Sequence, residues 1–412
     1  MHPAELAARA SYGRLLSLVA VRTGDLAGAE DALAEAFLAA VTQWPLDGVP
    51  QNPEAWLLTA ARRRLVDATR RRTRHERHAQ LLVSVDDAAE GDYFGDERLR
   101  LLFVCAHPAI DPAVRTPLML QTVLGLDVVR IATALRIAPK TMGQRLWRAK
   151  TKIRSARISF DVPVEELPER ASAVLEAIYA AYGSGWDDVA GQAAASRGLA
   201  EEAIWLARLT VQLLPEEPEA RGLLALMLYA QARSSARRGE DGAYIPLTEQ
   251  DPSCWDSHRN AEAEALLTEA VRLGRVGPLQ LEAAIQSAHV SARGSGTPDD
   301  HAVSLLYETL VRITPTLGIR VAHAVALSKT EGPARGLELL DAIKSTAPED
   351  YQPYWSARAY LLERVGRLDD ARDAYDRATG LAEDDGVRRW LLAKQRALGS
   401  ATNQSHTIRD VV

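Results

Sequence analysis

The sequence predicts an all-α protein, and three observations carry that prediction. Ala, Leu, Arg and Glu dominate, all strong helix formers. Apolar residues recur at helical spacing almost everywhere, and alternating β-branched stretches are nearly absent. Pro and Gly fall at intervals and punctuate the helical runs. At 412 residues the chain has length for two or three domains. Two composition shifts divide it: the polar, acidic stretch around Gln80 to Asp96, and Ser159 to Pro168, where Pro163 and Pro168 interrupt the pattern. The expected organisation is a helical module over 1–78, a linker over 79–95, and a second module over 96–158. A short linker over 159–168 then leads to a helical domain over 169–400 and a tail over 401–412.

In the first module, Asp25 to Trp44 reads as an amphipathic helix with Leu26, Leu33, Phe37, Val41 and Trp44 inward. Its outer side carries Asp31, Glu35 and Leu38, a mixture of acids and an exposed leucine that suits a protein partner. Asn52 then reads as an N-cap, with Pro53 at the first position of a helix running through Asp67 and beyond. Along that helix Trp56, Arg63 and Arg70 are spaced by seven and share one face, while Leu57, Ala61, Leu65 and Ala68 share another. An aromatic among arginines, with Arg62, Arg64, Arg71 and Arg72 close by, fits a nucleic-acid backbone and an unstacked base. It also fits a solvated face.

In the second module a short helix with Val128, Ile131, Ala132 and Leu135 is followed by a tight turn. Pro139 then opens a second helix with one narrow apolar stripe, Met142, Leu146, Ala149 and Ile153. Lys140, Thr141, Gln144, Arg145, Arg148 and Lys152 occupy the other faces, and no acid occurs from Lys140 to Arg157. This is the pattern of a helix-turn-helix whose second helix enters the major groove, with Arg and Gln on base edges. Lys150, Lys152 and Arg154 suit phosphates. Trp147 is expected to be a packing residue.

The C-terminal block repeats itself. Trp355, Ala359, Gly366, Ala371, Tyr375 and Ala378 follow the small-residue and aromatic spacing of a tetratricopeptide helix pair. Gly198, Ala203, Ala207 and Pro215 fit the same template, with Leu224 and Ala225 beginning another unit. Arg238 to Arg259 reads as a long loop. The fold class expected is therefore all-α: two small helical modules, the second with a helix-turn-helix, followed by a tetratricopeptide-like repeat.

Composition and motifs exclude several classes. No apolar run approaches the ~18–20 residues of a membrane span. Met1 to Glu5 has no secretory n-region, and two cysteines, Cys105 and Cys254, argue against a disulfide framework. A cytoplasmic protein without membrane association is expected. The formal charge of −6 does not oppose a nucleic-acid partner, because the positive charge is clustered. No phosphate loop, nucleophile elbow or zincin string occurs, so no enzyme, cofactor or metal is expected. Cys105 reads as buried and structural.

Three strings carry a family resemblance: Gly24-Asp25-Leu26-Ala27-Gly28-Ala29-Glu30-Asp31-Ala32-Leu33-Ala34-Glu35-Ala36-Phe37, Trp56-Leu57-Leu58-Thr59-Ala60-Ala61-Arg62-Arg63-Arg64, and Thr141-Met142-Gly143-Gln144-Arg145-Leu146-Trp147-Arg148-Ala149-Lys150. Residues from about Pro3 to Arg157 resemble the two-domain bacterial sigma factors of the extracytoplasmic-function type. The remainder resembles a subgroup with a fused tetratricopeptide-like domain, through Leu223 to Leu228, Glu249-Gln250-Asp251 with Trp255, and Gly277-Pro278 with Leu281 to Ile285. The resemblance implies a non-enzymatic promoter-specificity subunit. Glu30, Asp31, Glu35 and Leu38 would dock on the clamp helices of the largest subunit of core RNA polymerase. Trp56, Arg62, Arg63, Arg64, Arg70 and Arg71 would contact the −10 element, with the loop from Pro45 to Asn52 helping to hold a flipped base. Lys140, Thr141, Gln144, Arg145, Arg148 and Lys152 would read the −35 element of promoter DNA. Arg63 stands where relatives often have Asn, Ala34 replaces a frequent polar residue, and Tyr182 to Trp186 and Ala322-His323 also depart from the subgroup's strings. The C-terminal block is expected to modulate activity in cis, through a protein or small ligand on its concave surface. The alternative is a helix-turn-helix operator-binding regulator with a tetratricopeptide sensor domain.

Overall fold

The computed structural model describes residues 3–75, 94–187, 194–240, 242–295, 299–344 and 349–409; side chains are described for 11–66, 94–183, 198–240, 242–292, 299–344 and 349–398. The acidic stretch over 79–95 lies outside the described residues as far as 93, and of the tail only 401–409 is placed, as helix backbone. Among the described residues there are 18 α-helices and no strand; the one β-type pairing is an isolated bridge between Arg238 and Tyr244. None of the described helices is long and apolar enough to cross a membrane. The chain forms two compact units, Met1–Pro215 and Glu216–Val412.

The first unit begins with α1 (Pro3–Thr23), α2 (Leu26–Asp47) and α3 (Pro53–His75), which pack on one another. Asp25 caps α2 by accepting from the Gly28 N–H, and Asn52 Oδ1 accepts from the Ala55 N–H at 3.0 Å, so both expected helix starts have a physical stop. The buried stripe of α2 is Leu26, Ala29, Leu33, Ala36, Ala40 and Trp44. Val41, expected inward, is instead 43% exposed. Alanines at 29, 36 and 40 let α2 approach its neighbours closely, and this rotates the stripe one residue away from the larger side chain. Phe37 is half-buried and stacks on Tyr12 at 6.3 Å.

Next come α4 (Glu97–Cys105), α5 (Pro112–Thr122), α6 (Val128–Ala134) and α7 (Pro139–Ser155). Leu99, Leu101, Leu102, Phe103, Val104 and Cys105 make α4 almost wholly buried. A helix that buries six of its nine residues must be enclosed by others. The enclosing elements include α1, α5, α8 (Leu167–Asp187) and α9 (Ala194–Leu213). The stretch expected to be a connector packs back through Ile158, Phe160, Val162 and Leu167, all buried. Beyond it, Arg170 is buried on α8 and donates to the Phe103 carbonyl at 3.1 Å. Arg98 at the start of α4 donates to Asp96 and, at 2.6 Å, to Glu202 on α9. The expected boundary at 159–168 thus falls inside this unit, and α8 and α9 belong to the same body as the two N-terminal modules.

The second unit is a run of paired helices: α10 (Pro218–Ala232) with α11 (Ser257–Arg272), α12 (Pro278–Ser295) with α13 (Asp300–Ile313), α14 (Leu317–Thr330) with α15 (Pro333–Ile343), α16 (Gln352–Arg364) with α17 (Leu368–Leu381), and finally α18 (Asp385–Arg409). The small residues sit where the helices cross. Ala359, Ala371 and Ala378 are fully enclosed, Tyr375 is buried, and Gly366 adopts a φ of 81° at the turn between α16 and α17. The loop expected from Arg238 to Arg259 is folded into short 3-10 turns and ends at the Asp256 cap of α11.

Candidate nucleic-acid and polymerase interface

Two surfaces of the first unit gather the residues singled out in the sequence. On α2, Asp31, Glu35 and Leu38 are exposed, Leu38 by 65%. Leucine at that exposure, beside two carboxylates, offers an apolar contact ringed by negative charge. Glu30 does not join them: its carboxylate accepts from Lys150 Nζ on α7 at 2.6 Å, and the pair is largely covered. Lys150, expected on a phosphate, is therefore corrected to an intramolecular partner.

Beside this face, α3 and the end of α2 border an open cavity of about 550 Å³. Gln43, Pro50, Asn52, Trp56, Thr59 and Arg63 line it. Trp56 is half-buried, its ring set edge-on to Trp44 at 5.6 Å, so its orientation is fixed by the core of the module. Arg63 is exposed at the rim, and Arg64 reaches Glu35 at 3.4 Å. Both Arg64 and Glu35 stay about half exposed, so this pairing is weak and easily exchanged for another partner. Arg62 is half-buried. Arg70 and Arg71 lie on α3, but their side chains are outside the described residues, as are those of Arg72 and His75.

On α7 the amphipathic division is complete. Met142, Leu146, Ala149 and Ile153 are buried, while Lys140, Thr141, Gln144, Arg145, Arg148 and Lys152 are all exposed. The helix opens with Pro139 at its first position, and α6 is capped by Asp127, which accepts from the Arg130 N–H at 2.9 Å. Between them the turn passes through Arg136 at a φ of 53°, a left-handed conformation that glycine would adopt without cost. Trp147, expected to pack, is 67% exposed on the same outward surface as Gln144 and Lys140. The cause is helical phase: the position lies well away from the buried stripe, whatever the hydrophobicity of its side chain.

Cys105 is fully enclosed beside Thr122, and burial pushes its thiol up to about 12. It is the inert structural cysteine expected. Among the described residues no cluster of three or more His, Cys, Asp or Glu could hold a metal ion.

Residues 8–75 match the model of Sigma-70 region 2, and residues 170–271 match a Family of unknown function (DUF6596). Over 364 residues, 86% of each chain, the protein is 36% identical to "Uncharacterized protein R00370" of Rhizobium meliloti (strain 1021). The chain belongs to that protein's family. It is also 29% identical over 169 residues to "Probable ECF RNA polymerase sigma factor SigI" of Mycobacterium tuberculosis, in the CDC 1551 / Oshkosh and H37Rv strains alike, covering 39% of this chain and 57% of theirs. No solved structure matches. The family member described here thus carries an N-terminal Sigma-70 region 2, followed by a C-terminal helical region. The match over residues 8–75 supports a sigma-factor-like role in transcription.

Three features of the site escaped the sequence reading: the Glu30–Lys150 pair, the Arg98–Glu202 tie and the exposure of Trp147. The first two join residues more than 100 positions apart, which no local pattern signals.

Proposed function

We propose that this protein is a sigma factor that binds core RNA polymerase and directs promoter-specific initiation. The observation that carries the proposal is the division of α7 into one buried stripe and an outward face of six polar and cationic residues, in the same unit as a region 2. Asp31, Glu35 and Leu38 dock on the clamp helices of the largest subunit. Trp56 and Arg63 hold an unstacked base of the −10 element in the cavity they line, and Arg62, Arg64, Arg70 and Arg71 follow the backbone. Lys140, Thr141, Gln144, Arg145, Arg148 and Lys152 read the −35 element as duplex. The region from 169 onward modulates activity in cis as a tetratricopeptide-like domain. Supporting this, α8 and α9 pack on α1, α4 and α5.

Multi-round transcription with purified bacterial core polymerase on a library of upstream regions tests the reading. Discrete starts should appear only when the protein is added. Arg145→Ala should lose ~5–150-fold at the preferred −35 sequence, as expected for a bidentate contact to guanine worth ~1–3 kcal/mol. Tight specific binding to duplex DNA without polymerase, and no transcripts, would instead establish an operator-binding regulator.

A further inference from the structure

In a stack of helix pairs each pair touches its neighbours in sequence, and the two ends of the run do not meet. In the second unit they do. Helix α18 packs on α17, and it also carries a segment that lies 145 positions earlier in the chain. That segment is the excursion over 238–249, described but for residue 241. Its first half is a small hairpin. The Ile245 N–H donates to the Arg237 carbonyl and the Gly239 N–H to the Ala243 carbonyl, each at 2.9 Å, and Arg238 and Tyr244 form the isolated bridge. Residues opposed in a bridge point to the same side, and the Arg238 guanidinium lies 5.8 Å from the centroid of the Tyr244 ring. The buried Gln250 donates from Nε2 to the Ile245 carbonyl at 3.0 Å and ties the hairpin to the rest of the excursion.

The side chains of this excursion meet α18 in order along its first turns. Arg238 donates to both carboxylate oxygens of Asp384, at 2.9 and 2.6 Å, and each side chain is only 21% exposed. Asp384 also caps α18, accepting from the Val387 N–H at 2.7 Å, so the arginine holds the carboxylate that starts the helix. The Tyr244 ring stands edge-on to Trp390 at 6.0 Å, and Glu249 accepts from Lys394 Nζ at 3.2 Å. Gly386 makes the approach possible: a Cβ there would collide with the Arg238 guanidinium and come within 2.9 Å of the Gly242 carbonyl. We propose that 238–249 is a strap that latches the start of the second unit to its last helix, so that strap and α18 open together while the helices between them stay folded. A bidentate pair this well covered resists exchange with water, unlike the exposed pairs elsewhere on the unit. Without the strap, α18 is a terminal helix that frays by itself. With it, fraying requires the strap to lift, and a partner that lifts the strap frees α18. The latch does not depend on the role given to the first unit.

Amide hydrogen exchange on the full chain, followed by mass spectrometry over the strap, α18, α14 and α15, tests the latch. Arg238→Gln should quicken exchange about 10–100-fold in the strap and in α18 alike, and leave α14 and α15 unchanged. Gly386→Ala separates the alternatives by sign. In an unlatched α18, alanine is the better helix former and slows exchange by up to about 5-fold. Against the latch its methyl group should quicken exchange in both segments. The two substitutions together should do little more than either alone, because they remove one and the same contact. Unchanged exchange in α18 with Arg238→Gln overturns the proposal, as does slower exchange with Gly386→Ala. So do effects that multiply in the double variant, or an equal quickening throughout the unit.

Discussion

Replacing Arg98 with methionine should expose how far α9 is part of the N-terminal body. The Arg98 side chain is 14% exposed, donates to Asp96 and reaches Glu202 at 2.6 Å. Methionine keeps most of the aliphatic stem but removes the guanidinium, leaving two largely covered carboxylates facing each other. Asp96 retains its cap, accepting from the Arg98 N–H at 2.8 Å, so Glu202 is the group left without a counter-charge. Breaking a fully buried pair costs ~3–5 kcal/mol; with Glu202 28% exposed, about 2–3 kcal/mol is expected here. For a unit of this size that corresponds to a fall in Tm of about 4–12 °C. Burial pushes the Glu202 carboxyl up, with Arg98 opposing, and that raised value means the stability is fully present below about pH 4 and declines as pH rises. Burial also acts upward on Asp96, but the hydrogen bonds and charge of Arg98 outweigh it and hold the carboxyl low, so its contribution is present above about pH 4 and lost on acidification. Without Arg98 both carboxyls rise, and the deficit should grow from pH 4 to pH 7. Chemical and thermal denaturation across that range is the assay, with Glu202→Gln added in a second background. A loss below about 0.5 kcal/mol, or one that Glu202→Gln does not relieve, would refute the account.

Other outcomes follow from local geometry. Arg136→Gly should stabilise the helix-turn-helix by about 0.5–1 kcal/mol, because the φ of 53° strains a side chain and not a glycine; a lower denaturation midpoint would contradict this. A thiol reagent at pH 8 should modify Cys254 rapidly and Cys105 only on unfolding, since the enclosed Cys105 thiol is pushed up to about 12; mass mapping of the labelled sites decides it. Trp147→Ala should leave Tm within about 1–2 °C, because the ring is 67% exposed; a larger fall in a thermal scan would contradict this.

The sequence legibility of this fold differs from element to element, for physical reasons. The stripe of α7 was readable because its four buried residues recur at helical spacing among polar ones, and the helix starts at Asn52 and Pro139 because their chemistry is local. The stripe of α2 was only partly readable, since alanines and not large side chains mark its buried face. Trp147 was misassigned because hydrophobicity was weighed above helical phase. The membership of α8 and α9 was hidden by Pro163 and Pro168, which interrupt helices but do not release the chain: Ile158, Phe160 and Val162 alternate into the core. Of the candidate interface residues on α2 and α7, exposure followed from periodicity, whereas the withdrawal of Glu30 depended on a lysine 120 positions away.

The break between the two units falls at Pro215, inside the stretch from 170 to 271 that matches a single family model. Heredity and folding therefore cut this polypeptide in different places. Anyone exchanging the N-terminal part of this chain for a relative's, or any natural recombination that did so, would have to move the first 215 residues as a block. A crossover placed at the end of α7 would set α4 against another protein's α8 and α9, two of the helices that enclose it, and such a hybrid is expected to aggregate.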